Sequence, residues 1–243
     1  MPRTSLIILP HLDDEFAISP ILKNILKRAK NNYKIIFIAE RNFSNGKKKF
    51  KRRKECVNCL SLFGVKPTNI IFMNDYFIVD DLKIYNSMEQ ITKFLNNFHE
   101  ENPIKKIYTL SLEGGHPDHD ALALVIEKFA SLVAIKKYFL PAYNSRKTFF
   151  LPLSVLRPLK SQLTFFKVKR IGFFGWHNSL KIVWTYKTER YAFFKLLPFL
   201  IFKTLFSNKI FITNKIKKDS VDWQSSLTKK VYKTDENLYL NRL

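Results

Sequence analysis

A chain of 243 residues with 46% hydrophobic content can bury a sizeable core and is too apolar to be disordered. Its 42 Lys and Arg against 20 Asp and Glu give a formal net charge of +22, a field that attracts nucleic acid, anionic lipid head groups or phosphorylated substrates. No run of about 20 uncharged apolar residues exists, which excludes a spanning helix, and Leu6 to Pro10 is shorter than the roughly 7–15 apolar residues of an export signal.

The first 140 residues alternate between strand and helix signals. A strand at 5–10 meets a helix over 20–31, with Ser19 as N-cap and Pro20 as first residue. A strand at 34–39 leads into a basic loop, Arg41 to Lys51, and then a helix over 52–63 that ends at Gly64. A strand at 69–73, a helix at 86–99, a strand at 106–110 and a helix at 120–135 follow. Strands alternating with helices imply crossover units and a mostly parallel sheet. The expected fold is an α/β, Rossmann-like three-layer domain over residues 1–140. Residues 141–243 form a basic, aromatic-rich C-terminal extension, expected to pack on that domain.

Two clusters carry the chemistry. Pro10-His11-Leu12-Asp13-Asp14-Glu15 follows the first strand, and His116-Pro117-Asp118-His119-Asp120 follows the strand at 106–110. Ligands of open α/β sheets bind beyond the carboxyl ends of the strands. His11 and Asp14, three residues apart in a turn, can hold one metal ion, and His119 can add a third ligand. Two imidazoles and a carboxylate leave positions open, as in catalytic zinc sites. Ferrous iron or another divalent ion would suit the same set. Asp13, beside the ligand Asp14 but pointing elsewhere, can take a proton from water at the site.

His11-Leu12-Asp13-Asp14-Glu15 resembles the His-Pro-Asp-Asp-Glu signature of the PIG-L (LmbE-like) N-acetylglucosaminyl deacetylases, with Leu12 in place of proline. His116-Pro117-Asp118-His119 resembles the family's His-x-x-His signature, and Arg52, Glu55, Cys59 and Phe63-Gly64-Val65 resemble its Arg-x-x-Glu helix. The resemblance spans residues 4–135. It implies that His11, Asp14 and His119 bind zinc and that Asp13 is the general base. It further implies that His116 stabilises the oxyanion, that Asp118 orients His116, and that Arg52 or Arg53 contacts the substrate. Ser19-Pro20 stands where the family carries a glycine pair, and Asn45-Gly46 where it carries an acid before glycine. Both segments border the sugar site in the family, so the acceptor here is expected to differ from plain N-acetylglucosamine.

The expected activity is therefore zinc-dependent removal of an acetyl group from an amino sugar on a lipid-linked or polysaccharide precursor. Two alternatives are an amidase acting on a thiol-sugar conjugate or other small amide, and a basic nucleic-acid-binding protein with a vestigial metal site. The second is disfavoured because no catalytic residue is missing. Cys56 and Cys59 lack the second pair that structural zinc would need and are expected in the core. They give no disulfide framework and fit a reducing, cytoplasmic setting. His99 and His177, the latter beside Trp176 in an aromatic stretch, lie outside the clusters and receive no role. Residues 191–206 are intensely apolar but broken by Lys195, Pro198 and Lys203. They suit either a helix buried on the sheet or peripheral contact with an anionic inner membrane face.

Overall fold

The computed structural model describes residues 3–41, 46–147, 154–170, 177–195, 198, 209–217, 219 and 221–233. In the first strand, β1 (Thr4–Leu9), Leu6 and Ile8 join one apolar cluster and Ile7 and Leu9 another, all fully buried. In β2 (Tyr33–Phe37), Ile36 joins the first cluster, and Ile35 and Phe37 the second. Strands buried on both faces require helices on both sides, the condition of a parallel sheet. With β3 (Ile70–Phe72), β4 (Ile104–Leu110) and β5 (Lys136–Leu140) they form one sheet in the order β3-β2-β1-β4-β5, every pair parallel. One face is covered by α1 (Glu15–Ala29) and α2 (Gly46–Ser61), the other by α3 (Met88–Glu101) and α4 (Pro117–Leu132). The fold is the expected three-layer α/β arrangement.

Helix boundaries differ from expectation, each for a local reason. α1 starts at Glu15, so Ser19 is not its N-cap and Pro20 lies in its interior. Proline at that point has no N–H for the carbonyl of Phe16. The Ser19 hydroxyl donates to that carbonyl at 3.0 Å instead, which offsets part of the roughly 3 kcal/mol cost of an interior proline. α2 starts at Gly46, so the basic run from 46 to 51 is helical rather than loop. The turn after α2 is as expected: Gly64 has φ +80° and the Val65 N–H donates to Leu60 at 3.2 Å. α4 starts at Pro117, where proline's missing N–H costs nothing. β5 went unnoticed because Lys136 and Lys137 mask it, and only Phe139 and Leu140 are buried.

Beyond residue 140 the described elements are short: β6 (Tyr143–Asn144) with β7 (Ser154–Val155), β8 (Lys167–Arg170), α5 (His177–Thr185), β9 (Lys209–Ile212) and α6 (Leu227–Tyr232). β6 pairs with β7, and β8 with β9, both antiparallel. α5 places Ile182 and Val183 in the cluster that contains Leu22 and Cys59. Thr213 exchanges backbone hydrogen bonds of 2.7 and 3.0 Å with Phe139 and so flanks the β5 edge. Residues 190–195 are helical, and Phe193 is buried, its ring 5.6 Å from that of Phe16. Most of the remaining apolar stretch, with Phe199, Ile201 and Phe202, lies outside the described residues. Among the described residues no helix is long and apolar enough to cross a membrane.

Candidate active site

The strand order reverses between β1 and β4, because chain leaving β1 crosses to β2 on one side and β4 lies on the other. A crevice opens at such a switch point beyond the carboxyl ends of the strands. His11 to Asp14 leave β1 there, and His116 to His119 arrive from β4. The two clusters, 107 residues apart, meet through an imidazole–carboxylate contact, His11 Nε2 to Asp118 Oδ2 at 2.9 Å.

Asp14 is the hub. Its Oδ2 accepts the backbone N–H of His11 at 2.9 Å and lies 3.1 Å from His11 Nδ1, while its Oδ1 lies 3.3 Å from His119 Nε2. The carboxylate resists burial, yet His119 and His11 hold it well below the usual range. Burial alone would lower His11, but Asp118, Asp14 and Asp81 together hold its pKa well above the ordinary imidazole value. His11, His116 and His119 offer ring nitrogens within 4.8 Å of one another, and His11, Asp81 and Asp118 form a second such group. Imidazoles with adjacent carboxylates fit a divalent ion such as zinc or ferrous iron.

His116 does double duty. As N-cap of α4 its Nδ1 accepts the backbone N–H of Asp118 at 3.1 Å. Burial, then the neighbouring His11 and His119, push its pKa well below the usual value, so the ring is neutral near pH 7. With Nδ1 accepting, the proton sits on Nε2, making that nitrogen a donor. The carboxylate of Asp118 does not take the part expected for it. Fully buried, it accepts the N–H groups of Leu82 at 2.7 Å and Ile84 at 2.9 Å and contacts His11. It braces His11, whereas its backbone reaches His116.

The two candidate arginines separate. Arg52 is buried on the cavity wall, 2.9 Å from Asp13 Oδ2 and paired on its other side with Glu189. Arg53 instead donates to Glu40 at 2.9 Å and Asp75 at 2.7 Å and stacks over Phe72. A cavity of about 710 Å3 holds His11, Asp13, Asp14, His116 and His119 on its wall together with Arg52. Ser19 and Pro20 are not on that wall, against expectation, and neither is the exposed His177, to which the sequence assigns no role. Leu12, in place of the family's proline, is buried in the core and contributes to the cavity wall. Cys56 and Cys59 are free and buried, and burial pushes both thiols up.

Sequence reasoning missed Asp81, 3.3 Å from His11, and the segment after α5. There the Tyr186 hydroxyl donates to Glu15, the N–H of Thr188 to Glu55 at 3.2 Å, and Glu189 takes Arg52. Burial raises Glu15 to about 8 against the opposing pull of Tyr186. One signal for this segment was available: Glu189 is the only acidic residue between Glu127 and Asp219.

The sequence profile of PIG-L, described as GlcNAc-PI de-N-acetylase, matches residues 6–130, just over half of the chain and including both clusters. The chain belongs to the PIG-L family. It is accordingly a deacetylase by class, and the family's enzymes depend on a metal. No curated protein matches the sequence. Among solved structures, the PIG-L chain is similar to the A40926 pseudoaglycone deacetylase Dbv21, at 13% identity and a TM-score of 0.58, covering 88% of this chain and 97% of that one. It is similar also to the zinc-inhibited form of the teicoplanin deacetylase Orf2, at 11% identity and TM-score 0.57, covering 86% and 97%. A third is the N,N'-diacetylchitobiose deacetylase of Pyrococcus horikoshii, at 14% identity and TM-score 0.53, covering 87% and 84%. At these identities the likeness is one of fold, and it reaches well past the segment that the profile matches.

Proposed function

We propose that this PIG-L chain hydrolyses the N-acetyl group of an amino sugar carried on a lipid-linked or polysaccharide precursor. The observation that carries the reading is the contact of Asp14 with both His11 and His119 on the wall of a cavity that also exposes Asp13. His11, Asp14 and His119 would hold a divalent ion, zinc or ferrous iron. Such an ion, when bound, supplies a Lewis acid for the amide carbonyl.

The remaining steps belong to side chains. Asp13 takes a proton from the attacking water as its oxygen bonds to the acetyl carbon. Asp13 then returns the proton to nitrogen as the C–N bond breaks, giving acetate and a free amine. The Nε2–H of His116 donates to the oxygen that gains charge, a role worth roughly 3 kcal/mol for a single donor elsewhere. Asp118 keeps His11 in place, and Arg52 meets a sugar hydroxyl or phosphate. The deciding experiment is mass-spectrometric screening of the purified, metal-loaded protein against free, nucleotide-linked and lipid-linked N-acetyl sugars. Loss of one acetyl from any of them is the expected result. Inertness toward all of them, with cleavage of a thiol-sugar amide instead, would overturn the reading.

A further inference from the structure

The end of the site that carries His116 and His119 takes its shape from more than its own residues. In the first turn of α4 the fully buried carboxylate of Asp120 reaches back along the chain, where its Oδ1 accepts the N–H groups of Glu113 at 2.9 Å and Gly114 at 3.1 Å. Those bonds close residues 113–120 into a loop with both histidines inside it. The other oxygen, Oδ2, accepts the hydroxyl of Thr228 at 2.9 Å, and the Thr228 N–H donates to the Gly114 carbonyl at 2.9 Å. Thr228 belongs to α6, is fully buried, and lies 108 residues beyond Asp120, past residue 130, where the family profile ends. One residue of the C-terminal extension therefore grips the loop at its start and at its end.

Packing permits little play. Gly114 has φ +63°, and a Cβ there would come within 2.8 Å of Ser226 Cβ and Val221 Cγ1. A Cβ on Gly115 would lie 1.8 Å from the Tyr143 carbonyl oxygen. The turn that delivers His116 is thus pressed between β6 and the segment 221–228. A buried carboxylate oxygen is costly to leave without a donor, so loss of the Thr228 hydroxyl would shift Asp120 rather than leave it in place. Asp120 adjoins His119, whose Nε2 lies 3.3 Å from Asp14 Oδ1, and a shift there passes to the imidazole that would hold the metal.

We propose that Thr228 is a positioning residue of the metal centre: through Asp120 it fixes the loop that presents His116 and His119. The inference rests on the metal-dependent deacetylase reading above and adds to it that a buried hydroxyl of the extension sets the ligand geometry.

Thr228→Val keeps the shape of the side chain and removes the hydroxyl. Loss of a group that orients a metal ligand from behind weakens metal binding by roughly 10–100-fold. Zinc affinity of the folded Thr228→Val protein, measured by competition with a chelating dye, should therefore fall about tenfold or more. Cobalt(II) bound in place of zinc should show altered visible absorption bands, which report the coordination geometry. Thr228→Ser restores the hydroxyl and should recover both. Ser226→Ala is the control: the Ser226 hydroxyl caps α6 by accepting the Lys229 N–H at 3.1 Å, so its loss should lower the melting temperature and leave zinc affinity within about twofold. Should Thr228→Val not fold, Thr228→Ala takes its place in both measurements. On a substrate found by the screen, Thr228→Val at saturating zinc should lower kcat about fivefold or more, with KM changed less than about twofold. Wild-type zinc affinity and an unchanged cobalt spectrum in Thr228→Val, or an equal loss in Ser226→Ala, overturn the inference and leave the deacetylase reading standing. If no N-acetyl sugar is cleaved, the deacetylase reading fails, and the zinc and cobalt measurements still decide the role of Thr228. A wild-type protein that binds neither ion overturns both.

Discussion

Arg52 is gripped by Glu189 from 137 residues further along the chain, while its other terminal nitrogen holds Asp13 at 2.9 Å. The guanidinium thus shares its charge between the proposed base and a carboxylate of the C-terminal extension. Burial opposes that charge, and Asp13 and Glu189 restore it. Without Glu189, Arg52 is free to close on Asp13 with both nitrogens, the geometry that guanidinium and carboxylate prefer. Glu189→Gln is therefore expected to lower kcat about tenfold, or about 1.4 kcal/mol, with KM changed less than threefold. Glu189→Asp should recover most of the loss. Steady-state kinetics on a substrate found by the screen would check both, and a wild-type kcat in Glu189→Gln would remove Glu189 from the positioning of Asp13.

His116 and His119 are proposed to serve the metal in different ways. His119→Ala removes an imidazole that touches Asp14 and should abolish retention of zinc or iron through dialysis. His116→Ala should retain most of the ion and lose turnover by roughly 10²–10³, the cost of one oxyanion donor. Elemental analysis of the two folded variants separates the roles. Because the ring nitrogens of all three histidines lie within 4.8 Å, a metal-free His116→Ala protein would make His116 a ligand.

Asp13 lies next to Asp14, a proposed metal ligand, and pairs with Arg52. Asp13→Asn keeps the shape and removes the proton acceptor. Metal content should stay near that of the wild type while kcat drops roughly 10²–10⁴-fold, the range for one general acid–base group. A variant that has lost its metal would show instead that Asp13 supports the metal site.

The motif residues were legible because the reaction demands those residue types in a dense local pattern, and the strands before them were plain apolar runs. What escaped notice depended on contacts between distant segments. Nothing local in Asp118 reveals whether it faces His116 or His11. The answer is set by the N–H groups of Leu82 and Ile84, from the segment between β3 and α3. Arg52 and Arg53 are likewise equivalent in sequence, and only Glu189 on one side and Glu40 with Asp75 on the other divide them. The early start of α1 was hidden because proline usually opens helices, and the compensating hydroxyl of Ser19 acts over a single turn.

Glu113 ties the site to the extension and gives stability a pH dependence of definite sign. Its carboxyl is buried at the end of the β4 loop and accepts the N–H of Ala142 at 2.9 Å and the side-chain amide of Asn144 at 3.2 Å. Burial pushes its pKa from 4.5 up to about 8, against the pull of the Ala142 N–H. The folded protein therefore holds this proton more tightly than the unfolded chain. Below pH 4.5 both states are protonated and the group adds no slope. Between 4.5 and about 8 the unfolded chain gives up the proton and the folded state keeps it, so stability falls as pH rises, by a few kcal/mol in order of magnitude. Above about 8 the slope vanishes. Glu113→Gln has no proton to lose and should flatten the fall across that window, with little change at pH 4.5. Urea unfolding of both proteins at pH values from 4.5 to 8.5 measures the difference. Parallel curves would show that Glu113 is ionised in the folded state at neutral pH.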